Sequence, residues 1–210
     1  MVIPREPFDK AQGYSHERSR VGLRRDYTLA PQINKFAPNG VAKAYLFGLL
    51  HDATVRRTTY RIATKSELFA GIIQQGIKAL GSKAWIYKEG KNRNLWIIEF
   101  SKSLLRSFKI KTRKDKLDFI RGFFDAEGGI AKHSQVRFYL YFCQKNRTAL
   151  LKIKKYLTEL GIESGVIHNP SKKVDPDYWR FFIRAKSYKD FATIIGSNHP
   201  EKLSILRMKI

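Results

Sequence analysis

Gly122-Phe-Phe-Asp-Ala-Glu-Gly-Gly129 is the stretch on which the reading of this 210-residue chain turns. It ends an apolar helix, predicted over Lys116–Phe124, that carries an inner glycine and then runs into acidic–small–acidic–glycine. A carboxylate is badly placed at that end, because the helix dipole already puts partial negative charge there. Leu46-Phe-Gly-Leu-Leu-His-Asp-Ala-Thr54 repeats the shape in a divergent form. Acids carried at two such helix ends would also repel one another wherever the ends met.

Working outward from these two stretches, the chain is a duplication. Ala42–Leu50 reads as a short apolar helix, followed by a strand pair ending at residues 62–66. An amphipathic helix, Glu67–Leu80, is stopped by Gly81 as a C-terminal cap. Strands Ala84–Tyr87 and Leu95–Phe100 flank a polar tip, Lys88–Asn94, and a helical stretch starts near Ser101. The second half runs in the same order. The helix over Lys116–Phe124 leads to a strand Val136–Cys143 and a helix Ala149–Leu160 capped by Gly161. Strands Gly165–His168 and Tyr178–Ala185 follow, with a second polar tip between them and a helix from near Ser187. Gly48 and Gly122 are 74 residues apart, Lys65 and Lys145 are 80 apart, and Lys102 and Lys186 are 84 apart. Small loop insertions account for that drift. Two α+β halves on one plan imply a pseudo-two-fold molecule, with a basic extension over 1–40, a first repeat over 41–112 and a second over 113–210.

The strand faces support the same alignment. At an offset of 80, Arg57, Thr59, Arg61, Ala63 and Lys65 pair with Arg137, Tyr139, Tyr141, Cys143 and Lys145. The residues between them, Tyr60 and Ile62, pair with Leu140 and Phe142. Side chains alternate across a strand, so each half presents one cation-bearing face and one apolar face. The apolar face packs on helices, which leaves a basic sheet surface able to read base edges in a major groove.

Composition agrees. Lys plus Arg number 41 against 18 Asp plus Glu, a formal net charge of +23, which points to a polyanionic partner. Hydrophobic residues make up 43 % of the chain and aromatics 13 %, so the charge rides on a packed fold and not on a disordered tail. The single cysteine, Cys143, excludes an intramolecular disulfide and fits a reducing compartment. No apolar run approaches a membrane span, and the N-terminus lacks the apolar core of a signal peptide. The expected location is intracellular, in the cytoplasm. Residues 1–40, punctuated by Pro4, Pro7, Pro31 and Pro38, read either as a solvated extension or as an arm along a phosphate backbone.

The two acid-ended stretches resemble the LAGLIDADG motif, and the chain is similar over about residues 42–210 to LAGLIDADG homing endonucleases of the monomeric, two-motif, archaeal intron-encoded type. The resemblance implies two αββαββα repeats whose motif helices cross at a pseudo-two-fold axis, where Gly48 and Gly122 permit close backbone approach. It implies antiparallel sheets forming a saddle over double-stranded DNA, and two or more Mg²⁺ ions that serve hydrolysis of both strands. In the second copy the residue matching the family's metal ligand is Glu127, with Asp125 two positions earlier. In the first copy Ala53 falls at the ligand position. Either the helix is tightened by one residue, so that Asp52, one position earlier, reaches the metal, or this half has lost its ligand. His51 is read as packing and not as a ligand. Polar residues at the ends of the following strands, Thr64-Lys65-Ser66 and Gln144-Lys145-Asn146, match positions near the scissile phosphates. A lysine there can stabilise developing charge or polarise water, so Lys65, Lys145 and Gln144 join Asp52 and Glu127 as catalytic candidates. Base and phosphate contacts are expected from Arg57, Thr59, Arg61, Lys65, Arg137, Tyr139, Tyr141, Lys145 and Arg180. The tips Lys88, Lys91, Arg93, Lys172 and Lys173 are expected to position phosphates. The alternatives are a DNA-binding descendant or an RNA-splicing maturase acting on intron RNA, for which Ala53 speaks, and a generic basic ribosomal protein, which leaves the duplicated motif unexplained.

Overall fold

The computed structural model describes residues 40–90, 93–131 and 135–210. Residues 1–39 of the expected extension over 1–40, and Lys91, lie outside the described residues. The first half is built from α1 (Lys43–Leu49), β1 (Thr54–Val55), β2 (Thr59–Thr64), α2 (Glu67–Ala79), β3 (Ala84–Lys88) and β4 (Trp96–Ser101). The second comprises α3 (Arg113–Glu127), β5 (Gly128–Ile130), β6 (Leu140–Gln144), α4 (Arg147–Glu159), β7 (Trp179–Phe182) and α5 (Pro200–Lys209). The result is an α+β fold with two antiparallel sheets, ordered β1-β2-β4-β3 and β5-β6-β7.

Local chemistry explains the boundaries. Ser66 and Asn146 stand at equivalent places, and each side chain accepts the amide three residues on, from Phe69 and Ala149, to open α2 and α4. Both helices run thirteen residues and stop before a glycine at φ +79°, Gly81 and Gly161, the left-handed conformation that ends helices. α3 opens on a reciprocal capping box, with the Thr112 hydroxyl accepting from the Asp115 amide and the Asp115 carboxylate accepting from Thr112.

Four expected elements take a different form. The strand expected over Gly165–His168 is reduced to isolated bridges, Ser164 to Ile183 and His168 to Arg180, so the second sheet has three strands where the first has four. The strand expected from Val136 is regular only from Leu140. The helices expected near Ser101 and Ser187 begin as short 3₁₀ turns, Lys102–Leu105 and Ala185–Ser187.

The apolar sheet faces pack as the alternation requires. Ile62, Ile98 and Phe100 of the first sheet meet α1 and α2, while Leu140, Phe142 and Phe181 of the second meet α3 and α4. α1 and α3 join the halves by crossing backbone to backbone. A Cβ built on Gly122 would stand 2.0 Å from the Tyr45 carbonyl oxygen. One on Gly48 would stand 2.3 Å from that of Phe119. Neither position has room for a side chain, and the two acid-bearing helix ends are brought together by that closeness.

Candidate active site and nucleic-acid interface

α1 ends early. After Leu49 the chain tightens into a 3₁₀ turn over Leu50–Asp52, with the Ala53 amide donating to the Leu50 carbonyl at 3.2 Å. A 3₁₀ turn holds about 3.0 residues instead of 3.6, so each side chain swings roughly 20° further than in an α-helix. That over-winding turns Asp52 toward the end of α3. The two carboxylates are within electrostatic reach, because the Asp52 charge is one of the forces that raise Glu127.

Glu127 is the most perturbed carboxyl of the pair. Burial, first, and the neighbouring Asp52 charge push it up from 4.5 to about 7, opposed by a hydrogen bond from Gln144 and by the Lys202 ammonium. Partial burial also raises Asp52, again with Lys202 pulling the other way. The Gln144 amide nitrogen donates to Glu127 Oε1 at 2.5 Å and to the His51 carbonyl at 3.4 Å, so one side chain ties the two helix ends together. His51 lies against the rings of Phe123 and Phe119, at 4.5 and 5.8 Å between centroids. Burial, then the charge of Lys152, lowers it to about 4, so it is neutral near pH 7.

The neighbouring acid of the motif has a different task. Asp125 is 5 % exposed and accepts from the Tyr45 hydroxyl at 2.7 Å, the Asn198 amide at 2.9 Å and the Ser197 hydroxyl. Its lone pairs are committed inside the protein. The acidic–small–acidic spacing therefore splits into an inward structural carboxylate and an outward one, Glu127, that joins Asp52.

Asp52 and Glu127 offer hard oxygen donors, both raised by burial and Glu127 also by the Asp52 charge, which is the donor chemistry that Mg²⁺ or Mn²⁺ takes. Among the described residues no group of three His, Cys, Asp or Glu side chains could enclose a metal ion. A cation held here would thus draw on other oxygen donors as well, of which phosphate oxygens and water are the usual ones for Mg²⁺.

Neither predicted lysine is among the charges that shift this pair. Lys65 and Lys145 are both exposed at the equivalent strand ends, and Lys145 lies 3.9 Å from Asp175. The cation that acts on both carboxylates is Lys202, on α5. Sequence reasoning passed over it: α5 lies outside the repeated pattern, and a lysine in a surface helix carries no signal of its own.

The cation-bearing faces hold further structure. On β2, Arg61 pairs with Glu89 of the expected phosphate tip, and Arg93 approaches the same carboxylate at 3.6 Å. Thr59 and Tyr87 both donate to Glu99, which faces Arg61 across the β2–β4 ladder. Trp85 and Tyr87 stand exposed beside them, an aromatic pair absent from the predicted contacts. Arg57 is exposed in the turn before β2. On the second sheet, Tyr139, Tyr141 and Phe182 form a ring cluster, and the Arg180 guanidinium lies 5.0 Å over Phe182. Arg137 is exposed, as are Lys172 and Lys173 on the second tip, while Lys88 sits 5.9 Å from the Trp96 ring. No helix among the described residues is long and apolar enough to cross a membrane.

Two helices crossed at paired glycines, each delivering an acid beside an antiparallel sheet, give the chain the fold seen in solved LAGLIDADG proteins. Residues 114–196, which run from the first turn of α3 to beyond the last strand of the second sheet, match the family model described as a LAGLIDADG-like domain. Comparison with curated protein sequences gives no match. Among solved structures the chain is similar to I-DmoI in complex with DNA and Ca, at 23 % identity and a TM-score of 0.58, over 79 % of this chain and 96 % of that one. A variant of I-DmoI in complex with its target DNA in the presence of Mn gives 25 % identity and a TM-score of 0.56, over 77 % and 96 %. The N-terminal LAGLIDADG domain of DUF199/WhiA gives 16 % and 0.60, over 80 % and 90 %.

Proposed function

We propose that this chain is a site-specific DNA endonuclease of the homing type, which hydrolyses both strands of a long double-stranded target with divalent metal and acts as a monomer. The observation that carries the reading is the Asp52–Glu127 pair at the helix crossing. Nothing in the fold requires two carboxylates to face one another there, and their mutual repulsion opposes folding. The likeness to DNA-bound I-DmoI and the net charge of +23 support the same substrate.

In this reading 41–112 and 113–210 are two repeats, each addressing one half of the target. Asp52 and Glu127 would hold Mg²⁺, which supplies an activated water and neutralises charge on the leaving 3′-oxygen. Gln144 holds one Glu127 oxygen by its hydrogen bond and leaves the other to face the cation. Lys65 and Lys145 stabilise the charge that grows on the scissile phosphates. Arg57, Thr59, Arg61, Arg137, Tyr139, Tyr141 and Arg180 read or grip the duplex from the sheet faces. Lys88, Lys91, Arg93, Lys172 and Lys173 position its backbone. Selection of a bound sequence from a randomised duplex library, followed by incubation with Mg²⁺ or with EDTA, tests the reading. Double-strand cleavage in Mg²⁺ alone is the expected result, and binding without cleavage at any divalent ion overturns it.

One observation favours a second reading. Ala53 occupies the ligand position in the first motif, which fits a non-catalytic DNA binder or an RNA-splicing maturase. The same experiment separates them, because a binder retains the selected duplex intact and a maturase restores splicing of an intron RNA.

A further inference from the structure

The last helix of the chain reaches into the candidate active site from outside the repeats. Ser197 and Asn198 fasten the segment before α5 to the buried Asp125, and the Asn198 side-chain amide donates to the Gly40 carbonyl at 3.3 Å. His199 then packs on Phe69 of α2, with centroids 4.6 Å apart. This strap is therefore anchored to both halves before α5 begins. Lys202 follows, and its ammonium donates to the carbonyls of Phe124 at 2.6 Å, Asp125 at 2.9 Å and Gly128 at 2.7 Å.

Those three acceptors sit where α3 ends and β5 begins, on either side of Glu127. A lysine ammonium has three protons, and here each has a main-chain acceptor. The arrangement answers two costs at once. The carbonyls at a helix C-terminus lack intrahelical partners and carry partial negative charge. The acid pair adds two carboxylates at the same place. A fixed cation inserted there satisfies the carbonyls and offsets the repulsion. The ammonium also lies 5.0 Å over the Phe124 ring, which restricts it further.

We propose that Lys202 is a positioning residue for the acid pair, an internal cation that fixes the end of the motif helix and offsets the Asp52 and Glu127 charges before a divalent ion arrives. The inference rests on the metal-binding reading of that pair. It separates two roles, charge and geometry, which different substitutions remove. Lys202→Met keeps the aliphatic stem and deletes the charge. Lys202→Arg keeps the charge, but a planar guanidinium cannot direct its protons to three carbonyls that converge on one point.

The experiment is calorimetric titration of Mn²⁺ into the DNA-free full-length protein, with thermal unfolding recorded with and without Mn²⁺ and Glu127→Gln as the site control. Removal of a positive charge beside the ligands deepens the negative potential, so Lys202→Met should bind Mn²⁺ severalfold more tightly than wild type. The same variant should unfold several degrees lower without metal, and Mn²⁺ should recover most of that loss. Lys202→Arg should bind Mn²⁺ with wild-type affinity and show only the lower unfolding temperature. A purely structural lysine would lower both melting temperatures and leave Mn²⁺ affinity unchanged or weaker, and that result overturns the proposal. If the Met variant does not fold, wild-type Mn²⁺ affinity in the Arg variant supports the charge role, and a tenfold weaker affinity there refutes it. A wild-type protein whose Mn²⁺ binding is absent, or survives Glu127→Gln, removes the metal reading itself together with this inference.

Discussion

The two acid-ended helices meet at one crossing and are held there in different ways. α3 runs fifteen residues, opens on a capping box and continues directly into a strand. α1 runs seven residues and starts at Ala42 with no side-chain cap. A seven-residue helix is far below the length that is stable alone, so α1 owes its form to its partner. Tyr45 donates to Asp125, Gly48 lies on the α3 backbone, and Tyr45, Leu46 and Leu49 are buried. The second motif is specified by its own sequence, and the first by contact with the second. A first copy held in this way can drift from the family pattern, as Ala53 shows, while its neighbour Asp52 is still carried to the site.

The largest test addresses the crossing itself, where the halves should behave alike. An added methyl at Gly48 or at Gly122 meets main-chain atoms that cannot move independently. Gly48→Ala and Gly122→Ala should each destabilise by about 3–5 kcal/mol, or abolish folding, in thermal unfolding followed by circular dichroism. A silent Gly48→Ala would mean that α1 is not pinned to α3, and the dependence of the first motif on the second would fall.

At the acids the halves should still agree in kind. Asp52→Asn and Glu127→Gln should each reduce cleavage of a selected target at least about a hundredfold while binding is kept or tightened, since a carboxylate near phosphates is removed. Asymmetry enters at limiting Mg²⁺. The more exposed Asp52 is expected to give the weaker site, so nicked duplex should accumulate before the double-strand product. Asp52→Asn that cuts both strands at the wild-type rate removes it from the site.

A third test uses acidity in the metal-free protein. Glu127 titrates at about 7, above its ordinary 4.5. Its contribution to stability is therefore fully present below pH 4.5 and is lost as the pH rises through 7. His51, lowered from 6.5 to about 4, has the opposite sign: its contribution is present above pH 6.5 and is lost as the pH falls through 4. Stability without metal should thus rise as the pH falls from 8 toward 6, by on the order of 1–2 kcal/mol once partial solvent screening is allowed for. It should then level off and fall. Glu127→Gln should erase the rise and keep the acid-side fall, as read by denaturant midpoints across pH.

These contrasts also mark what was legible in the sequence. The caps Gly81 and Gly161, the strand faces and the helix with an inner glycine are local patterns, and each appears where spacing placed it. The inward role of Asp125 was not legible, because spacing cannot show that Ser197 and Asn198, more than seventy residues on, would enclose it. Lys202 was invisible for the same reason. The 3₁₀ turn that carries Asp52 was legible only as a consequence: a one-residue offset in the motif required some over-winding. The irregular 164–168 segment lost its strand form because pairing is made at two points only.

The smallest expected effect concerns the sheets, where the halves differ in how their cations are balanced. Arg61 already faces Glu89 and lies across from Glu99, whereas Arg137 and Arg180 form no ion pair with any described residue. A phosphate or base edge that approaches Arg61 must compete with an acid, and the charge released to DNA there is fractional. Each phosphate fully neutralised contributes about 0.9 to the slope of log K against log salt. Arg137→Ala should therefore lower the slope by nearly one, and Arg61→Ala by clearly less. Arg61→Ala should relax base preference at one position, because its guanidinium is held in a fixed geometry by Glu89. Glu89→Gln should move the first sheet toward the second, with tighter binding and a steeper salt slope, and stability should change by less than about 1 kcal/mol since the pair is near the surface. Fluorescence anisotropy on the selected duplex between low and physiological salt reads all three. Equal slopes for Arg61→Ala and Arg137→Ala would show that Glu89 releases Arg61 on binding, and the two sheets would then present DNA with the same charge.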